Sequence, residues 1–525
     1  MPTDRPTEPP QALTEEIAAL RADLAAGCYT TATIEQLLGP VATGALRREN
    51  AVPARRVLAG REEPAAVLLS LFTLGAVVPR AQVQAVLPTL GADGAMRLGL
   101  VGPAPAYGAD APPSEAPLRA LVDLAPYAAS DDGGQIDWWI ASDLSELATG
   151  RPLGPEHVLG VGGASLTLAK LTPRRSVGRV LDLGCGGGIQ ALHAARHAEH
   201  VVATDLSARA LAFAAFNAAL NSIEIELRQG SLLEPVAGES FDLIVSNPPF
   251  VITPRDAADE ATTWTYRDGG RAGDALLGEL LRALPAHLSP GGSAVMLGNW
   301  EIGADGAWDA HPRAWLEGAC ADGIDAWVLQ REQEDPAQYA ETWVRDGGIT
   351  DRDPAWPSLV GAWLTDFERR GVEQIGFGYL LLRRPPRGAD RPGVLRTEQV
   401  PGTGSGTLWE HLAASLHTLD ALAALDDEAL CAARPVRAQD VVERRHLTPG
   451  EWDPMLIELV QGAGFARTVP ADQQLAATVG ALEGTLTLGQ VLAAVCALTE
   501  ADVDETRTRL LPTLRELIVT GMVTL

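Results

Sequence analysis

Residues 180–188 read Val-Leu-Asp-Leu-Gly-Cys-Gly-Gly-Gly, and residues 245–252 read Val-Ser-Asn-Pro-Pro-Phe-Val-Ile. The first stretch is an apolar run ending in glycines, the pattern of a buried strand that turns tightly into a helix. The second is an apolar run closed by two prolines, which cannot continue a sheet ladder. Working outward, strand-like runs at 179–183, 201–204, 224–228, 242–246, 293–297, 324–329 and 375–383 alternate with helical stretches at 189–198, 207–221, 273–287, 306–321 and 358–370. This alternation predicts an α/β domain over 151–384, built on a parallel, doubly wound sheet.

Three features of that domain carry chemistry. Gly184 permits the tight turn, and Gly186 and Gly188 let the backbone approach a ligand closely. Asp182 precedes the glycines, and their spacing lacks the Gly-x-Gly-x-x-Gly phosphate pattern. The next strand ends in Asp205-Leu206-Ser207. Asp205 lies 23 positions after Asp182 (205 minus 182), a spacing that suits a carboxylate accepting both ribose hydroxyls, although the same residues suit a helix N-cap. Asn247-Pro248-Pro249-Phe250 ends the fourth strand, at the sheet edge where open α/β folds bind ligands. The Asn247 side-chain oxygen and the Pro248 carbonyl can each accept one N–H of a planar NH2 group, and Phe250 can stack on it.

At this order and spacing the chain resembles class I S-adenosylmethionine-dependent methyltransferases with an Asn-Pro-Pro-Phe motif. These are Rossmann-like, seven-stranded enzymes that methylate nitrogen. Val251-Ile252-Thr253-Pro254, Tyr266-Arg267-Asp268-Gly269-Gly270, Asp274 and Leu288-Ser289-Pro290-Gly291-Gly292 extend the likeness to the protein-glutamine N5-methyltransferases that modify release factors. The small-domain methyltransferases of ribosomal RNA guanine share Asn-Pro-Pro-Phe but usually follow it with His, where this chain has Val251. The resemblance spans about 155–384 and neither flank. It implies S-adenosyl-L-methionine as cofactor, with Asp182, Gly184, Gly186, Gly188, Asp205 and Leu206 holding it. It also implies a transfer site of Asn247, Pro248, Pro249 and Phe250. Such families place an acid where Ser231 stands, so the adenine contact would fall to the Ser231 hydroxyl or the Leu232 backbone N–H. Leu159-Gly160-Val161-Gly162-Gly163-Ala164-Ser165 could cover the cofactor, and a plain Gly-rich turn is the favoured reading.

The flanks are read from pattern alone. A chain of 525 residues exceeds a single core. Residues 1–110 read as a Pro-rich tail followed by helices and a strand-like run at 96–101. Residues 111–150 read as a connection and a small β element around the Asp-Asp-Gly-Gly at 131–134. Residues 385–407 have linker composition, and 408–525 read as helical with a closing strand at 521–525. Both flanks are mainly helical in this reading, either winged-helix-like or plain packing caps. Residues 331–357, with Trp343 and Trp356, read as a lid or a partner surface, with an insertion packed on the sheet edge as the favoured reading.

The formal net charge of -27 disfavours broad phosphate binding. Five scattered cysteines without a Cys-x-x-Cys pair argue for reduced thiols, no metal site and a cytoplasmic setting. No apolar run is long enough to span a bilayer. The acceptor reads as a glutamine amide of a release-factor-like protein, or alternatively as an adenine or guanine base of ribosomal or transfer RNA. A noncatalytic cofactor-binding scaffold is a third reading, supported by Ser231 alone.

Overall fold

The alternating strands and helices assemble into one twisted sheet of eight strands in the computed structural model, which describes residues 8–525 apart from 105–115, 132, 152, 155, 255–270, 305, 389–390, 401 and 406–407. A hairpin, β1 (Asp123–Asp131) and β2 (Gly134–Ser142), leads in. Next come α1 (Gly163–Leu171), β3 (Val177–Leu183), α2 (Ile189–Ala194), β4 (Ala198–Asp205), α3 (Ala208–Leu220), β5 (Glu226–Gln229) and β6 (Phe241–Ser246). The second half holds α4 (Ala275–Ala283), β7 (Leu288–Gly303), α5 (Ala310–Ala321), β8 (Asp325–Glu334), α6 (Pro336–Asp346), α7 (Trp356–Arg370), β9 (Val372–Arg383) and β10 (Leu395–Gln399). The sheet order is β10-β8-β9-β7-β6-β3-β4-β5. Only β9 runs antiparallel to both of its neighbours. Seven of these strands were legible as apolar runs.

The central strands are buried on both sides, as a parallel sheet requires. Leu277, Leu280, Trp315 and Leu316 of α4 and α5 cover one face. Leu168 and Leu171 of α1 and Ala191 and Ala194 of α2 cover the other, joined by Leu408 and Leu412 of α8 (Leu408–Ala423).

The segment expected to be a linker supplies the eighth strand. β10 pairs in parallel with β8, from Ala326↔Leu395 to Gln330↔Gln399. Its sequence, Leu-Arg-Thr-Glu-Gln, lacks an apolar face, so cross-strand polar contacts hold it instead. The Arg396 guanidinium lies 5.0 Å from the Trp327 ring centre, and Glu398 accepts from Trp327 Nε1 at 2.6 Å and from Arg467. An edge strand tolerates such polarity.

The N-terminal flank packs six helices between Thr14 and Arg97, then pairs Val101–Pro103 antiparallel with Leu118–Ala120. The strand-like run expected from residue 96 remains helical to Arg97, and Gly99 turns the chain at φ +75° before the strand begins. Val78 bridges to Leu118. Helix, bridge, two helices and two strands follow one another in the connectivity of a winged helix. This unit shares its core with α3, since Phe213, Phe216 and Leu220 are buried among its helices. The hairpin is fastened there too. Asn217 and Asn221, one turn apart on α3, pair like an extra strand with the backbone of Ala141 and Trp139 at 2.7–3.1 Å.

The C-terminal flank is less helical than its sequence suggested. The helices Leu488–Thr499 and Val503–Val519 form, and Val523–Thr524 pairs with Val436–Arg437. Between them and α8 lies a three-stranded antiparallel sheet of Val441–Leu447, Pro454–Gln461 and Thr468–Ala471. Its outer strand exposes nearly every side chain, so the periodic burial signal is missing. Asp420 of α8 ties the flank to the sheet edge through Arg383 and Arg391, and Arg391 also pairs with Asp325.

Candidate active site

The registers of β3, β4 and β6 bring their carboxyl ends level. Leu183 pairs with Thr204 on one side and Ser246 on the other. The chain direction of successive crossovers reverses between β3 and β6, and a crevice opens there outside the strand ends. A cavity of about 460 Å³ fills it. Asp182, Gly184, Gly186, Asp205, Leu206, Ser231, Leu232, Asn247, Pro248, Pro249 and Phe250 all line this one cavity.

Gly188 is the exception among the residues singled out. It has φ +85° at the start of α2, where a Cβ would stand 3.0 Å from Ala214 Cβ, so glycine is required there for close packing on α3. Gly184 and Gly186 differ. Both have positive φ (+72° and +52°), and a Cβ on either would meet no atom of the described residues within 4 Å. The Gly-rich turn is therefore shaped for a backbone conformation, with free space beside it.

Two carboxylates face each other across the turn. Asp182, 1% exposed, accepts from Ala191 N–H at 2.8 Å and so pins α2 to the strand end. Asp205 accepts from Gly186 N–H at 2.9 Å and Ser207 N–H at 2.8 Å. Burial first, and then the Asp205 charge, push the Asp182 carboxyl up to about 7. Burial likewise raises Asp205. Such a pair favours a ligand bearing positive charge or hydroxyl donors.

The transfer loop is fixed at its base by Ser246, whose buried hydroxyl donates to the Leu183 carbonyl at 2.7 Å. Beyond it, Asn247 Oδ1 is a buried acceptor atom with no hydrogen-bond partner among the described residues. Phe250 lies edge-on to Trp343 of α6, with ring centres 6.4 Å apart and planes at 75°. Leu232 adopts a left-handed φ of 47° where it lines the cavity, a backbone state that side chains other than glycine occupy at a cost.

The site also uses residues beyond the cofactor and transfer motifs. The Gly-rich segment 159–165, read as a cover or a plain turn, lines the cavity. It is held through Asp143, which accepts from Val158 N–H at 2.9 Å and pairs with Arg209 of α3. Glu156 and His157 on the same segment, Arg271 and Leu276, and Trp343 and Asp346 of α6 complete the wall. Only Trp343 had a usable signal, since Tyr339 and Trp343 stand four apart in a long insertion. Residues 266–270 lie outside the described residues. Asp274 does not line the cavity; it accepts from Glu301 N–H at 2.9 Å and bonds His311 Nδ1 at 2.6 Å.

Residues 161–308 match the methyltransferase small domain family. Residues 26–111 match a domain of unknown function, DUF7059. The chain is 42% identical over 135 residues to a release factor glutamine methyltransferase of Xylella fastidiosa, covering 24% of this chain and 48% of that protein. It is 32% identical over 165 residues to a ribosomal protein uL3 glutamine methyltransferase of Bradyrhizobium diazoefficiens, covering 29% and 51%. It is also 34% identical over 139 residues to an Escherichia coli ribosomal RNA small subunit methyltransferase C, covering 26% and 35%. The chain thus spans about half the length, or less, of these curated relatives. Among solved structures, a methyltransferase from Pyrococcus furiosus is similar at 16% identity and a TM-score of 0.25, covering 42% of this chain and 81% of that one.

Proposed function

We propose that this chain is an S-adenosylmethionine-dependent N-methyltransferase acting on a planar NH2 group, foremost a glutamine side-chain amide of a protein. The observation that carries this reading is the orphaned, buried Asn247 Oδ1 in the same cavity as the Gly-rich turn and Asp205. A buried acceptor without a partner is costly, and a substrate N–H satisfies it. The open space beside Gly184 and Gly186, with two carboxylates across the turn, fits the cofactor. Asp205 would receive the ribose hydroxyls, and the 159–165 segment would close over the cavity.

When bound, S-adenosylmethionine supplies an electrophilic methyl on a sulfonium. Asn247 Oδ1 and the Pro248 carbonyl would each accept one N–H of the acceptor. That arrangement aims the nitrogen lone pair away from its delocalised plane, and Phe250 packs on that plane. Positioning of this kind provides most of the rate gain. The proton leaves after transfer, so a strong general base is not required.

Two relatives named as glutamine methyltransferases support a protein acceptor. So does the cavity lining, where Glu156 and Asp346 stand, with Glu146 near Asp346 and raised by burial and by the charges of Glu49 and Asp346. An acidic lining repels a phosphate backbone and suits a polypeptide. An RNA base is the second reading, favoured by the winged-helix connectivity of the N-terminal flank and by the rRNA-directed relative. A cytoplasmic location goes with either acceptor. No described helix is long and apolar enough to cross a membrane.

The deciding experiment transfers radiolabelled methyl from S-adenosylmethionine into a cell extract. Label lost to protease supports the protein acceptor, label lost to RNase supports the RNA base, and no label at all overturns the enzyme reading. Two substitutions probe the cofactor side. Asp205→Ala should weaken S-adenosylmethionine binding by about 1.5–3 kcal/mol, the range for charge-assisted hydrogen bonds, measured by calorimetry. Asp182→Asn should behave oppositely in stability and binding. Because the folded carboxyl titrates near 7, above its unfolded value of 3.8, its stabilising contribution is complete below the unfolded value. That contribution is lost as pH rises through 7. The Asn variant should therefore melt higher than the parent at pH 8, show no such gain near pH 4, and bind the cofactor more weakly.

A further inference from the structure

The loop that carries Asn247 cannot hold itself. Pro248 and Pro249 have no N–H to donate, so its fixed points lie on either side. One is the Ser246 hydroxyl on Leu183. The other is Ile252, whose N–H donates to the Tyr339 hydroxyl at 3.0 Å. Tyr339 belongs to α6, in the segment between β8 and β9 and beyond the 161–308 family match. Its hydroxyl also accepts from Asn299 Nδ2 of β7 at 2.6 Å. The ring is fully buried, at 5.6–5.9 Å from the rings of Trp343, Trp363, Phe367 and Phe377. A phenol so enclosed has one position, and it conveys that position to Ile252.

One turn further along α6, Trp343 meets Phe250 edge to face and lines the cavity. The N-cap that starts this helix is well made, with Asp335 accepting from Ala337 and Gln338 N–H at 2.9 Å. α6 is thus a rigid strut with two functional side chains on one face, four residues apart.

We propose that α6 completes the transfer site: Tyr339 is a positioning residue that holds the Asn247–Phe250 loop through Ile252, and Trp343 forms with Phe250 an aromatic corner, the two rings nearly perpendicular, into which a planar acceptor packs. This rests on the methyltransferase reading and adds to it. The corner's two walls come from different parts of the chain, so acceptor choice depends on α6, whereas cofactor binding belongs to the turn after β3. Tyr339 acts on the reaction only through the loop. Trp343 acts by facing the acceptor.

The test uses the full chain with tritiated S-adenosylmethionine, and as acceptor an extract of cells lacking this protein, titrated to separate apparent kcat from apparent KM. Tyr339→Phe keeps the ring and removes the hydroxyl. It should lower kcat roughly ten-fold with cofactor affinity by calorimetry little changed, and it should lower the thermal midpoint without loss of a cooperative melt, because Ile252 N–H and Asn299 Nδ2 lose a buried acceptor. Trp343→Ala should raise the apparent KM for the extract roughly ten-fold, again with cofactor affinity retained, and Trp343→Phe should restore most of the loss. Should Trp343→Ala fail to fold, the Phe variant compared with Trp343→Leu gives the same contrast between aromatic and aliphatic walls. If Asn247→Ala abolishes transfer while Tyr339→Phe and the Trp343 series keep parental kinetics, the α6 inference is overturned and the enzyme reading stands. If the parent chain itself labels nothing, both fall together.

Discussion

Asn247→Ala is expected to reduce methyl transfer by about 100- to 1,000-fold, the scale seen when one preorganised polar contact to the reacting group is removed. Affinity for S-adenosylmethionine should stay close to that of the parent chain. The reasoning runs from burial to chemistry. Asn247 Oδ1 is sequestered from solvent and lacks a partner among the described residues. Removing it relieves an unsatisfied group, so the variant should be no less stable than the parent. The same removal strips the acceptor amine of one of its two proposed hydrogen bonds. Those bonds matter most when the nitrogen turns its lone pair to the methyl group, so the loss falls on kcat and not on binding. Calorimetry for the cofactor, a thermal melt and single-turnover transfer into extract check the three parts. Parental turnover in a folded variant would remove Asn247 from the mechanism.

Much of this site could be read before any coordinates. Strand ends, glycines and the two prolines are local signals, because each states a backbone requirement at its own position. Asp182, Asp205 and Asn247 were legible as a set since a parallel sheet places all its strand ends on one edge. What the sequence left undecided is the wall, which depends on packing between distant segments. Trp343, legible only as part of a lid or an insertion, reaches Phe250 across 93 positions (343 minus 250), and the segment 159–165 is anchored beside the cavity through Asp143, which bonds Val158 and pairs with Arg209. β10 was lost to a composition signal, since the Pro and Gly residues around it masked a polar edge strand. The C-terminal sheet was lost for a related reason, because an outer strand exposed on both faces has no period of two to detect.

Gly188 shows the limit of motif reading in the other direction. It sits in the glycine run proposed to hold the cofactor, but it does not line the cavity, and the structure uses it to let α2 approach α3. A Gly188→Ala change would act through packing, and a loss of activity in it would be no evidence for cofactor contact.

A chain cut to residues 116–390, which keeps every feature of the proposed chemistry, should not fold as an independent methyltransferase. The cut uncovers Phe213, Phe216 and Leu220 on the outer face of α3, all fully buried in the intact chain against the N-terminal helices. It exposes the Trp139 flank of the hairpin by removing Tyr29, whose carbonyl accepts from Trp139 Nε1 at 2.7 Å. It deletes β10, leaving the backbone of β8 as a bare edge next to the buried Trp327. It also removes α8, which covers Leu381 and the other apolar residues on that face of the sheet. Exposing a fully buried Phe or Leu costs about 1.5–3 kcal/mol each, and a domain's whole stability is only about 5–15 kcal/mol. Several such losses together exceed that margin. The expected result is an aggregating product, or one with no cooperative melt and no calorimetric signal for S-adenosylmethionine, while residues 8–525 melt cooperatively. A 116–390 chain that melts near the full chain and binds the cofactor normally would show that the shared cores are dispensable. The flanks would then be separable units, and the dependence of the transfer site on its surroundings would end at α6.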